Sequence, residues 1–144
     1  MSGIIGGAGS KSGVIGQTEI DYETGTWVPT QGTYSLSSAQ GTYTKIGTLV
    51  NVMGYAWFNS TANSDGTWGG LPFTSASDAF YKSGGNVTWT GLNINTGTTV
   101  YMRVKNSATT WTFYCASDEA GWNDTISSVN GNQIMFYGQY HSAS

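Results

Sequence analysis

The chain is poor in charge, cysteine, histidine and proline. Charged residues make up 9% of its 144 positions, against about 25% in an average soluble domain. The single cysteine, Cys115, excludes an internal disulfide and a cysteine-based zinc site. The five cations are scattered, so no basic stripe exists to meet phosphates, and we expect no nucleic acid partner. No apolar run approaches the roughly 20 residues that cross a bilayer, and we expect no membrane partner.

Catalytic motifs are also missing. The one histidine, His141, is the fourth residue counted back from the last one. The sequence contains no nucleophile elbow, phosphate-binding loop or zinc-protease helix. Asp118 and Glu119 could lie near the carboxylates of residues 19–23 and so supply the two carboxyl groups of a glycosidase, but adjacent carboxylates in a glycine-flanked loop are usually solvated. We therefore predict that the chain is not an enzyme and has no catalytic residue, cofactor or metal ion.

Small polar and aromatic residues fill the chain instead. Gly, Thr, Ser and Asn account for 68 of the 144 residues, and aromatic residues for 14%. Aromatic content at this level argues against disorder. Thr, Tyr, Trp and Val favour strands, whereas Gly, Asn and Ser favour turns. The mixture predicts an all-β protein of seven to nine strands, arranged as a single antiparallel β-sandwich or jelly-roll-like domain over residues 18–144.

Three segments carry the clearest strand patterns. Residues 98–105 alternate, as do residues 110–115 after a turn at 106–108, and residues 133–140 form a final strand. Leu49–Phe58 reads as the longest strand and is apolar on both faces, which predicts a central position or a subunit interface. Gly54 in its middle predicts a bulge or a close backbone approach. The face of this strand that we assign to a trimer interface carries Leu49, Met53, Tyr55 and Trp57.

The first 17 residues differ from the rest. Six glycines within residues 1–16 predict an extended Gly-rich arm. A plain Gly/Ser linker would not need apolar pairs, yet the arm carries Ile4, Ile5, Val14 and Ile15. One interpretation is an anchor that orders when it docks on a partner. The other is a frayed terminus.

Two further clusters have alternative interpretations. Trp68, Trp89 and Trp122 lie in or beside turns, next to amides and carboxylates. Flat rings beside polar groups suit glycan contact, although packing in a core or an interface is the commoner role for each tryptophan. Residues 18–23 place three carboxylates on one side of an extended segment. They could form a cation site, but the solvated side of an entry strand is the favoured interpretation.

Several segments together resemble a family of small β-domains from phages of marine and freshwater bacteria. The matching segments are Gly6–Gly16, Thr18–Glu23, Gly25–Pro29, Gly41–Gly47, Leu49–Val52 and Gly70–Thr74. They cover roughly the first half of the chain, and the second half is similar only in its strand pattern. Members of this family close longer tail-fibre chains or occur as short free-standing virion proteins.

The resemblance implies a homotrimer on the virion surface without catalysis. Only about 17 residues precede the β-domain, which is short for the attachment region of a fibre but enough for an arm that grips a capsid. We therefore expect a capsid decoration, or cement, trimer that is held on the major capsid protein or another virion protein by its N-terminal arm. The alternative is a tail-fibre or receptor-binding tip that recognises a host surface glycan.

Overall fold

The computed structural model describes residues 21–32, 35–59, 62–64, 67–90, 99–116, 122–123, 126–128 and 132–144. Within these ranges the protein has twelve strands and one single-turn helix, α1 (Ala79–Lys82). The strands are β1 (Tyr22–Trp27), β2 (Thr30–Gln31), β3 (Leu36–Ile46), β4 (Leu49–Phe58), β5 (Ala62–Ser64), β6 (Thr67–Gly69), β7 (Gly84–Thr90), β8 (Thr99–Val104), β9 (Trp111–Ala116), β10 (Trp122–Asn123), β11 (Ile126–Ser128) and β12 (Gln133–His141). The predicted all-β class is confirmed.

Ten of these strands form one antiparallel sheet. Its order is β1-β3-β4-β12-β7-β8-β9-β6-β2, with β10 paired to β9, while β5 and β11 pair separately. β4 lies between β3 and β12, so the predicted central position of this strand is confirmed. β3 has 11 residues and β4 has 10, so the prediction that β4 is the longest strand is wrong. The polar start of β3 carries little strand signal and is held in the sheet by pairing with β4.

The sheet is curled into a half-barrel. β1 and β2 lie at opposite ends of the strand order, yet only Val28 and Pro29 separate them in sequence. This short connection brings the two ends of the sheet towards each other. The described strands therefore do not bear out the predicted β-sandwich or jelly roll. The spacing of strands and turns predicts how many strands form, but it does not say whether they divide into two sheets or curl as one.

Aromatic rings fill the inside of the curl. The ring of Trp68 stacks on that of Trp111 with 5.1 Å between centroids, and Phe136 lies 4.7 Å from Trp111. Trp27, at the end of β1, contacts Phe136 at 5.9 Å. The inward-facing side chains of β4, β8 and β12 belong to this core: Val50, Val52, Ala56, Phe58, Val100, Met102, Val104, Ile134 and Phe136. Rings from both ends of the strand order meet in this core and so stabilise the curl.

Gly54 provides the close approach that its position in β4 predicts. A Cβ atom at this residue would lie 2.9 Å from the ring of Phe136. The irregular register is found elsewhere, between Leu36 and Ser38 in β3. The glycine therefore lets a core ring of β12 pack against the backbone of β4.

Tyr140 joins β12 to the segment that precedes α1. Its fully buried hydroxyl donates to the carbonyl oxygen of Phe73 at 3.0 Å and accepts from the Phe73 amide at 3.2 Å. Burial raises the pKa of Tyr140 to about 12, whereas an unfolded tyrosine titrates near pH 10. Because the folded-state pKa is the higher one, the stabilisation is complete below pH 10 and is lost as the pH rises towards 12.

We expect Tyr140→Phe to lower the free energy of unfolding by about 1–2 kcal/mol at pH 7, because the Phe73 backbone groups lose their partner. The difference between wild type and variant should shrink between pH 10 and pH 12. Urea unfolding at pH 7 and at pH 11.5 measures both effects, with Tyr22→Phe as the control at an exposed tyrosine. A difference that stays constant with pH would contradict the assignment.

Candidate functional site

The sheet face that points away from the core is the candidate functional surface, and we call it the outer face. Side chains alternate along a strand, and in β4 the buried positions Val50, Val52, Ala56 and Phe58 point inwards. The intervening side chains therefore point outwards. These are Leu49, Asn51, Met53, Tyr55 and Trp57.

The outer face has no charged side chains over five neighbouring strands. The strand registers place the outward residues beside one another. In the described parts of β1, β3, β4, β12 and β7, none of the outward positions is Asp, Glu, Lys or Arg. A soluble surface usually carries charges of both signs throughout. A face of this size without charge is typical of a surface that contacts another molecule.

Large apolar and aromatic side chains stand exposed on this face. Met53 is 60% exposed and is paired across the strands with Tyr137, which is 57% exposed. Tyr55 is opposite Met135 one step further along the same two strands. Trp57 continues the row along β4 and is 40% exposed. Clusters of this kind mark interaction sites on soluble proteins.

Two neighbouring grooves cross the outer face. The first, the apolar groove, has a volume of about 650 Å³. The backbone of Gly41, Gly54 and Phe136 forms its floor, because the register places these residues in one row across the strands. Its walls are largely apolar and include Met53, Tyr55, Met135 and Tyr137.

The second groove, the polar groove, has a volume of about 570 Å³. Its floor is glycine backbone from Gly84, Gly85 and Gly138. Its walls carry amide, hydroxyl and phenol groups from Asn51, Asn86, Thr99, Tyr101, Tyr137 and Gln139. Tyr137 lines both grooves and forms part of the ridge between them.

The structure brings the four predicted interface residues together on the outer face. Leu49, Met53, Tyr55 and Trp57 occupy successive outward positions of β4, apart from Asn51 between the first two. The predicted anchoring residues Ile4, Ile5, Val14 and Ile15 lie outside the described residues. So do Asp118 and Glu119.

Trp68, one of the three tryptophans of the glycan prediction, is buried in the core. Trp68 is in β6 and is only 2% exposed, with its ring 5.9 Å from Phe58 and stacked on Trp111. The expectation of a glycan contact at Trp68 is therefore wrong. Its glycine neighbours suggest a turn, but pairing of β6 with β9 carries the ring into the core. Trp89 lies in β7 and Trp122 in β10.

The acidic residues at the start of β1 contact side chains of their own chain. Asp21 forms an ion pair with Lys45 at 3.0 Å. Glu23 accepts a hydrogen bond from the Tyr43 hydroxyl at 2.5 Å, and this bond raises the pKa of Tyr43. No group of three or more metal-ligating side chains occurs within the described ranges. In the same ranges no helix is both long and apolar enough to cross a membrane.

Sequence reasoning missed the polar groove. The alternation in residues 98–105 places Tyr101 opposite the apolar face of its strand, so its outward direction is visible in the sequence. The sequence does not show that β12 inserts between β4 and β7. That strand order is what places Gln139 beside Asn51 and Tyr137 beside Asn86.

Comparison with solved structures shows a likeness of fold. No protein-family model matches the chain, and no curated protein matches it at a significant level. Among solved structures, the Dettilon tailspike protein superposes with a TM-score of 0.63 at 15% sequence identity. The superposition covers 83% of this chain but only 24% of the tailspike. The protein therefore has a fold that is also found in part of a tailspike.

Proposed function

We propose that this protein is a structural component of the surface of a bacteriophage particle, that it is carried on the tail, and that it contributes to attachment to the host. The observation that carries the proposal is the shared fold with part of a tailspike. The outer face is uncharged over β1, β3, β4, β12 and β7, and its exposed rings and two grooves support a role in contact rather than catalysis. The family resemblance of the first half of the sequence supports a place on the virion surface.

The proposal includes self-association as a homotrimer through the apolar groove and its rim. Met53 and Trp57 expose apolar surface that water solvates poorly, and no charged side chain among the described outward residues of β1, β3, β4, β12 and β7 would oppose a second copy there. The burial of such surface between subunits would stabilise a trimer. The predicted interface residues of β4 would then contact neighbouring subunits.

In this proposal the chain is not an enzyme. Each acidic residue within the described ranges has a side-chain partner: Asp21 pairs with Lys45, Glu23 with Tyr43, and Asp78 with Lys82. These carboxylates therefore contact side chains of their own chain. We expect incubation with host polysaccharide to release no oligosaccharide.

Capsid decoration is the second candidate. The observation that favours it is the Gly-rich arm with its two apolar pairs, which precedes the β-domain in the sequence. An arm of this kind could dock on the major capsid protein or on another virion protein, and three arms of one trimer would bind together with high avidity. We favour a position on the tail over decoration because the fold is shared with part of a tailspike.

Immunogold labelling of intact phage particles separates these positions. Antibody against the purified chain should place gold at the tail if the proposal is correct. Gold over the head would instead establish decoration and make the arm the next segment to truncate. A lack of gold on particles whose epitope is shown to be accessible would overturn both candidates.

A further inference from the structure

We infer that the polar groove binds a short uncharged segment of a glycan. The inference rests on the proposed function and deepens it, because it names the class of receptor and the residues that contact it. The groove crosses β4, β12, β7 and β8. With strands about 4.8 Å apart, four strands span roughly 14 Å, which suits an oligosaccharide better than a single sugar.

The lining of the groove has the hydrogen-bonding groups that neutral sugars need. Asn51, Asn86 and Gln139 present three side-chain amides. Each amide carries both a donor and an acceptor, and therefore matches the hydroxyl groups of a pyranose, which also do both. The carbonyl oxygen of the Asn86 amide accepts from the Val87 backbone amide at 2.8 Å, so this side chain is held in place before a ligand arrives.

Two tyrosines supply flat surfaces beside these amides. Tyr101 is 41% exposed and Tyr137 is 57% exposed. They belong to β8 and β12, with Asn86 of β7 opposite both of them across the strands. Tyrosine combines a large apolar ring with a polar hydroxyl and loses little conformational entropy on binding. The apolar face of a sugar ring can stack on such a ring while its hydroxyls reach the amides.

The glycine floor makes the groove deep enough for a ligand. A Cβ atom at Gly84 would meet no atom within 4 Å, so the space above this residue is open. Gly85 and Gly138 continue the floor on β7 and β12. A sugar could therefore lie directly against the backbone between the walls, as is usual for pre-formed ligand sites with a few converging polar groups.

The lining of the polar groove contains no charged residue, and this indicates which class of glycan the groove binds. No residue that lines the polar groove is Asp, Glu, Lys or Arg. An anionic sugar would find no cation among the residues that line the groove, and it would face a chain of net charge −3. The nearby guanidinium of Arg103 lies 3.4 Å from the centroid of the Phe80 ring and donates to the Phe80 carbonyl. The chemistry therefore favours uncharged hexose and N-acetylhexosamine units.

The test is binding of the full chain to an array of oligosaccharides that holds neutral and uronic-acid-containing members. We expect the chain to bind the neutral oligosaccharides of the array.

The Gly84→Val substitution should fill the open space in the groove and weaken that binding at least tenfold. Gly32→Val is the matched control, because a Cβ atom at Gly32 also meets nothing within 4 Å and this residue lies outside the groove. Tyr101→Ala should weaken binding similarly, whereas Tyr22→Ala, at another exposed tyrosine of the outer face, should not.

The outcomes separate this inference from the proposed function. Retention of charged members alone, no retention of any neutral member, or neutral binding that survives Gly84→Val in a folded protein would each overturn the inference. None of these results changes the position at which immunogold labelling of the particle is expected. Conversely, a chain that binds neutral glycans through this groove but is missing from the virion surface would overturn the proposed function and leave the groove assignment intact.

Discussion

Gly85→Ala is expected to lower the free energy of unfolding by about 3 kcal/mol, at the upper end of what overpacking usually costs. A Cβ atom at this position would overlap the carbonyl oxygen of Tyr137 and would lie 2.6 Å from the Cα atom of Gly138. Both contacts are with backbone, which cannot rotate away as the end of a side chain can. The pairing of β7 with β12, near the middle of the sheet, would have to shift as a whole.

Gly84→Ala is the matched control for that variant. The two glycines are adjacent in β7, but a Cβ atom at Gly84 meets nothing within 4 Å. Its substitution should change stability by no more than about 1 kcal/mol and could increase it, because alanine restricts the unfolded chain. Chemical denaturation of both variants and the wild type checks the prediction. Equal losses for the two variants would show that the close approach of β7 to β12 is not what constrains Gly85.

Met53→Lys is expected to convert the proposed trimer into monomers. A lysine placed at this 60% exposed position would bring three ammonium groups into an interface without acidic partners among the described outward residues. Burial of unpaired charge costs several kcal/mol per group, which exceeds what a modest apolar interface provides. Sedimentation of the wild type and the variant at equal concentration measures the change in mass directly.

Val28→Lys is the control for the interface variant. Val28 is almost equally exposed, at 58%, but lies in the connection between β1 and β2 rather than on the outer face. The Val28→Lys substitution should therefore leave the mass of the assembly unchanged. A wild-type chain that sediments as a monomer at high concentration, or a Val28→Lys variant that dissociates as fully as Met53→Lys, would contradict the proposed interface.

The sequence predicts individual strands well where one face is apolar. Val100, Met102 and Val104 alternate with polar residues, and the structure buries all three. The same pattern identifies Ile134 and Phe136 in β12. Alternation is local information, since each strand displays its own buried face. The all-β class follows from the same reasoning, whereas β4 is apolar on both faces and its alternation alone does not identify the outward row.

The site depends on information that is not local. The polar groove exists because β12 inserts between β4 and β7, so residues about 35 to 90 positions apart in sequence line one wall. Trp68 is a second case in which long-range pairing decides the outcome. Its turn-like neighbours suggest an exposed side chain, but pairing of β6 with β9 buries the ring. Strand order and curl depend on long-range packing, and one sequence by itself gives few signs of either.

The pairing of β4 with β12 also has a kinetic consequence. Leu49 is opposite His141, so this ladder pairs residues that lie up to 92 positions apart in the chain. During synthesis, β4 leaves the ribosome well before its partner does, and its two apolar faces stay uncovered in the meantime. Contacts of such long range slow folding, and uncovered strands in slow-folding chains tend to aggregate. Recombinant yield should therefore depend on growth temperature and chaperone supply more than the stability of the finished fold would suggest.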